Sequence, residues 1–113
     1  MKTTRIATLN VCGLSNKTPE LIEFMTKKHI DILGIADTRK KGGNIQKTIQ
    51  NYVLIWSGVD NTLKAKYGVG FLVNPNKAKY ITDIEYISER IIRIQLIEEE
   101  RTTTLNPNIR TLQ

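Results

Sequence analysis

Two oxygen-bearing side chains, Asn10 and Asp37, close two apolar runs, residues 5–11 and 30–36. In a parallel strand pair, ligands collect beyond the carboxyl ends of the strands. Neighbouring strands lie about 4.8 Å apart, so an amide oxygen and a carboxylate can meet at that edge. Both are hard ligands suited to Mg²⁺, which takes few protein ligands and keeps water or phosphate oxygens for the rest. Spacing alone favours a plainer role, with Asn10 capping a turn and Asp37 ending its strand. Against that, a charge behind so apolar a strand is costly unless something pairs with it. Arg39, Lys40 and Lys41 follow at once in a glycine-containing loop, 39–43. Such a loop can steer a phosphate backbone to the same edge, although its composition also suits a solvated loop.

Other reactive residue types are less promising. His29 is the only histidine and stands where a helix should end, a place for a side chain that complements the helix dipole rather than a base. Cys12 has no neighbouring His or second Cys, so a buried or half-buried thiol is expected, not a nucleophile. Tyr52 and Trp56 fall in an apolar run and should fill core; an exposed aromatic would instead be able to stack on a base. Gly68-Val69-Gly70 lacks the third glycine and the following helix of a dinucleotide loop.

The elements that must position these residues are legible from periodicity. Residues 5–11 read as a strand stopped by Gly13. A helix should follow, with Thr18 as its cap, Pro19 at the first helical position, Glu20 at the positive end and Lys27, Lys28 and His29 at the other. Leu21, Ile22, Phe24 and Met25 make its apolar stripe. The run 30–36 is almost wholly apolar, as in a strand buried on both faces. Together these make a βαβ unit with two parallel strands.

Further along, 44–50 is expected to form one or two helical turns, 52–57 and 67–73 strands, and 74–76 a turn. Gly68 and Gly70 imply close backbone approach. Residues 80–87 and 90–97 read as strands joined tightly at Ser88-Glu89, with Ile92, Ile94 and Leu96 alternating with Arg93 and Gln95. Past Glu98 the periodicity stops, and 98–113 is expected to be a polar tail.

The bulk numbers bound the function. At 113 residues the chain is one small domain at most. Seventeen Lys+Arg against eleven Asp+Glu give a net charge of +6, which favours phosphate-rich partners or a solvated basic surface alike. One cysteine excludes an internal disulfide and a multi-cysteine zinc site, and a reducing compartment fits. No signal peptide is visible, and no segment nears the roughly 18 unbroken apolar residues of a membrane span. Cytoplasm or nucleus is the expected location.

Four segments taken together carry a resemblance. Thr8-Leu9-Asn10-Val11-Cys12-Gly13-Leu14, Asp31-Ile32-Leu33-Gly34-Ile35-Ala36-Asp37-Thr38-Arg39, Gly68-Val69-Gly70-Phe71-Leu72 and Glu89-Arg90-Ile91-Ile92-Arg93-Ile94 resemble the endonuclease/exonuclease/phosphatase superfamily. The likeness is to the apurinic-type endonuclease of non-LTR (LINE) retrotransposons and to craniofacial-development-protein-like genes, and spans roughly residues 4–97. It implies an α/β fold, the N-terminal half of a four-layer α/β sandwich in which a βαβ unit is followed by mostly antiparallel strands. It also implies a metal-dependent DNA endonuclease, a hydrolase with Mg²⁺ as cofactor and DNA as partner. Asn10 would help hold metal and phosphate, and Asp37 would stand where the family usually has a glutamate ligand. The family's later motifs, Tyr-x-Pro, Asp-x-Asn and a terminal Asp-His pair, are not in this sequence.

The expectation is therefore a partial domain over 1–97, a truncated, transposon-derived endonuclease inactive alone. The alternative is a nucleic-acid-binding or protein-interaction module that uses loop 39–43, with Arg39, Lys40 and Lys41 as its contacts. Half of a two-sheet sandwich would leave an apolar sheet face uncovered, open to self-association.

Overall fold

The longest apolar runs become the inner strands of a five-stranded sheet, because strands covered on both faces cannot alternate with polar residues. In the computed structural model, residues 4–60, 62–64, 66–98 and 101–105 are described. Chain order is β1 (Ile6–Asn10), α1 (Thr18–Lys28), β2 (Ile32–Ala36), β3 (Gly43–Lys47), a 3₁₀ turn (Ile49–Asn51), β4 (Val53–Ser57), β5 (Val69–Val73), α2 (Pro75–Ala78), β6 (Ile81–Tyr86), β7 (Ile92–Glu98) and β8 (Arg101–Leu105). The first sheet runs β1-β2-β5-β4-β3 and the second β6-β7-β8. β1 and β2 are parallel, with α1 as the crossover expected; every other pair is antiparallel.

Helix α1 starts one residue earlier than its capping chemistry implied. Lys17 occupies the N-cap without a side-chain cap bond, and Thr18 lies inside the first turn. At the other end His29 adopts φ 56° and terminates the helix, while Ile30 N–H reaches back to the Met25 carbonyl at 2.9 Å. Leu21, Ile22 and Met25 are buried, but Phe24 is exposed. It sits about 100° round the helix from Met25, off the apolar stripe.

The first sheet has a different cover on each face. Leu33, Ile35, Leu54, Trp56 and Leu72 pack under α1 with Leu21, Ile22 and Met25. From the opposite face Ile32, Ile55, Phe71 and Val73 meet Ile92, Ile94 and Leu96 of β7. The face expected to lie bare is thus covered by the second sheet, which removes the premise for self-association through an uncovered sheet. The described residues form three layers: one helix, a five-stranded sheet and a three-stranded sheet. Tyr52 and Trp56 are core residues, as expected.

Three local expectations are corrected. Residues 43–47 form a strand, not helical turns, because the edge of β4 offers unpaired backbone groups that Gly43–Lys47 satisfies in register from Gly43↔Ser57 to Lys47↔Val53. The 74–76 turn opens a one-turn helix, with Asn74 Oδ1 accepting from Lys77 N–H at 2.9 Å. The expected polar tail over 98–113 contains a strand: Arg101–Leu105 pairs with β7 from Glu98↔Arg101 to Ile94↔Leu105, and Leu105 packs on the second core cluster. Residues 106–113 lie outside the described residues. No helix among the described residues is long and apolar enough to cross a membrane.

Candidate nucleic-acid interface at the strand ends

Parallel register sets Asn10 against Ala36, so the chain leaves β1 and β2 at one edge. The antiparallel pairing of Ala36 with Val69 brings the start of β5 to the same edge. Three loops are then laced by backbone bonds. Gly13 N–H donates to Asp37 O and Leu14 N–H to Thr38 O, both at 2.8 Å; Thr38 N–H donates to Gly68 O at 3.0 Å and Arg39 N–H to Tyr67 O at 2.6 Å. Cys12, Asp37, Arg39 and Tyr67 all take positive φ here, between 49° and 57°. A non-glycine residue in that region costs on the order of 1–2 kcal/mol, so the edge holds strain that the lacing maintains. Gly68, at φ 97°, is obligatory: a Cβ there would run into the Thr38 hydroxyl.

Asn10 and Asp37 both line an open cleft of about 770 Å³, together with Arg39, Tyr67, Glu89 and Arg90. Each is already engaged. Asn10 Oδ1 accepts from Cys12 N–H at 3.1 Å and from the Cys12 thiol at 3.3 Å, the turn-capping role that spacing favoured. Arg39 grips both Asp37 oxygens, Nε to Oδ1 at 3.3 Å and a terminal nitrogen to Oδ2 at 3.2 Å. The partner that an end-of-strand carboxylate needs is therefore the arginine two residues on. Among the described residues no group of three or more His, Cys, Asp or Glu converges. One amide and one arginine-paired carboxylate do not fit a resident divalent ion, and no hydrolytic step follows from them. Cys12 is exposed rather than buried, because it stands in the loop beyond the sheet edge. His29 ends α1 next to the start of β2, at the opposite end of the sheet from Asp37.

Loop 39–43 crosses from this cleft to a second groove of about 960 Å³ between the start of α1 and the end of β3. Arg39, Lys40, Lys41 and Lys47 line it, and no carboxylate does among the described residues. Lys40 lies over the Trp56 ring, Nζ 4.4 Å from its centroid, and Trp56 Nε1 donates to the Lys41 carbonyl at 3.0 Å. The basic loop is thereby fastened to a buried indole. Gly58 fixes it from the other side, since a Cβ there would meet the Lys40 carbonyl oxygen. Lys41 and Lys47 have no ion-pair partner among the described residues. Lys47 was not legible as a site residue, since it reaches the groove only through the β3–β4 pairing. Lys66, Tyr67 and Arg90, which line the cleft, were missed for a similar reason.

No protein-family model, no curated protein and no solved structure matches this chain.

Proposed function

We propose that this chain is a nucleic-acid-binding α/β domain of the endonuclease/exonuclease/phosphatase type, of the kind LINE retrotransposons carry, that grips phosphates without hydrolysing them. On this reading the three described layers correspond to the N-terminal half of a four-layer sandwich. The observation that carries the reading is the groove whose charged lining is Arg39, Lys40, Lys41 and Lys47 alone. Four cations, of which Arg39 alone has a carboxylate partner, form a site for a polyanion, and releasing condensed counterions from a nucleic acid supplies the driving force. Hydrolysis is not part of it, because Arg39 occupies the carboxylate of Asp37 and Asn10 spends its oxygen on the Cys12 turn.

Fluorescence anisotropy with a labelled single-stranded oligodeoxynucleotide tests this. Four phosphate contacts at a salt slope of about −0.7 each predict a roughly 50-fold loss of affinity between 50 and 200 mM salt. Lys41→Ala with Lys47→Ala should halve the slope, to a roughly 7-fold loss. Indifference of the slope to these changes would sink the proposal. Supercoiled plasmid with Mg²⁺ should stay intact; nicking abolished by Asp37→Ala would replace this reading with a catalytic one.

A further inference from the structure

The aromatic residue placed for stacking is neither Trp56 nor Tyr52, which are core, but Tyr67. Its side chain is exposed, and it lines the Asn10–Asp37 cleft at the mouth of β5. Arg90 lies over the ring with its guanidinium carbon 4.3 Å from the centroid, and Lys66 holds its ammonium 5.4 Å away. Backbone bonds keep this arrangement in place. The Tyr67 carbonyl accepts from Arg39 N–H, and Gly68 N–H donates at 2.9 Å to the carbonyl of Glu89, the residue before Arg90. The Tyr67–Gly68 peptide is thus tied to the basic loop on one side and to the β6–β7 turn on the other.

Resting on the phosphate-binding reading above, we propose that Tyr67, backed by Arg90, is a stacking platform for one unpaired nucleobase. The adjoining phosphates would run past Arg39 into the groove lined by Lys41 and Lys47. Three features favour a nucleotide over an acidic peptide. Base–aromatic stacking is favoured by a ring held in place, and here the Tyr67–Gly68 peptide is bonded at both its polar groups while Arg90 packs on the ring. A cleft of about 770 Å³ is of nucleotide-binding size. Asn10, with its oxygen turned to Cys12 N–H, retains an amide NH₂ for the acceptors on a base edge. Arg39 belongs to both lining sets, so base and phosphate sites are contiguous. A duplex, whose bases are already stacked, would use only the basic groove.

The test compares two 12-mers of equal charge on the unaltered protein, one of oligothymidylate and one with an abasic backbone. The base-bearing strand should bind tighter by about 5- to 150-fold, the range expected for one stacked base. Tyr67→Ala should bring the two strands to equal affinity while keeping the salt slope, and Tyr67→Phe should retain the preference. Alanine meets the positive φ of this position at the same cost as tyrosine, so the variant should fold. Equal binding of both strands by the unaltered protein, with the salt slope intact, overturns the platform and leaves phosphate binding standing. Absence of salt-dependent binding to either strand overturns both. Competition by polyglutamate of equal charge as strong as that by oligothymidylate also overturns the platform.

Discussion

Replacing Ile94 by alanine tests the packing of the second sheet on the first. Ile94 lies in the middle of β7, fully buried at 0% exposure among Ile55, Phe71 and Ile92. The substitution removes three carbons, worth about 2.4 kcal/mol at about 0.8 kcal/mol each. The cavity left between two sheets adds to that, and a cost of about 2–5 kcal/mol is expected. Ile97 supplies the control on the same strand: it faces outward and is 41% exposed. Less area is lost there and no cavity forms, so Ile97→Ala should cost under about 1 kcal/mol. Urea denaturation followed by circular dichroism reads both. With a total stability on the order of 5–15 kcal/mol, Ile94→Ala removes a large fraction and should lower Tm by ten degrees or more, at about 4–8 °C per kcal/mol. Equal costs for the two variants, or a cost under about 1 kcal/mol at Ile94, would refute packing of β6–β8 on the first sheet.

Three further outcomes are expected. Gly58→Ala forces a methyl against the Lys40 carbonyl and should cost about 1–3 kcal/mol in urea while weakening oligonucleotide binding, because the basic loop must shift; unchanged stability and affinity would contradict the contact. Asp31→Ala removes a clasp in which one carboxylate oxygen accepts from Arg5 N–H at 2.8 Å and the other from Asn74 Nδ2 at 2.7 Å, and should cost about 1–3 kcal/mol by thermal melting. The Asp60 carboxylate accepts from the Thr62 backbone N–H and then from its hydroxyl, which holds its pKa below the ordinary 3.8. The turn is therefore held above that value and released as pH falls through the depressed one, so the Thr62 amide resonance should move only at pH below 3.8.

The elements legible in the sequence were those whose signals are local. The apolar run ending at Ala36 had to be buried on both faces, and it is. The Pro19 and Glu20 start and the Lys27, Lys28 end marked α1 correctly to within a residue, because capping and dipole effects act within one turn. Alternation in β7 identified Ile92, Ile94 and Leu96 as the inward set. The doublet Gly68 and Gly70 announced close approach, which is with the Thr38 hydroxyl and the Ile55 carbonyl.

Periodicity and chain direction were thus enough to define the βαβ start, the inner strands and the edge at which Asn10, Asp37 and Arg39 meet. Everything else depended on which segments the fold brought side by side. Gly43–Lys47 and Arg101–Leu105 are strands because neighbours distant or reversed in the chain offered them unpaired hydrogen-bonding edges; their own residues carry almost no apolar pattern. The bare sheet face became a covered one when β7 folded across it. Asp37 turned from a candidate ligand into the partner of Arg39 through a pair of left-handed residues that no propensity announces. Tyr67 and Arg90 meet only because the turn after β6 hydrogen-bonds to the start of β5. Side-chain chemistry is written locally, but which charges are left unpaired depends on who arrives beside them.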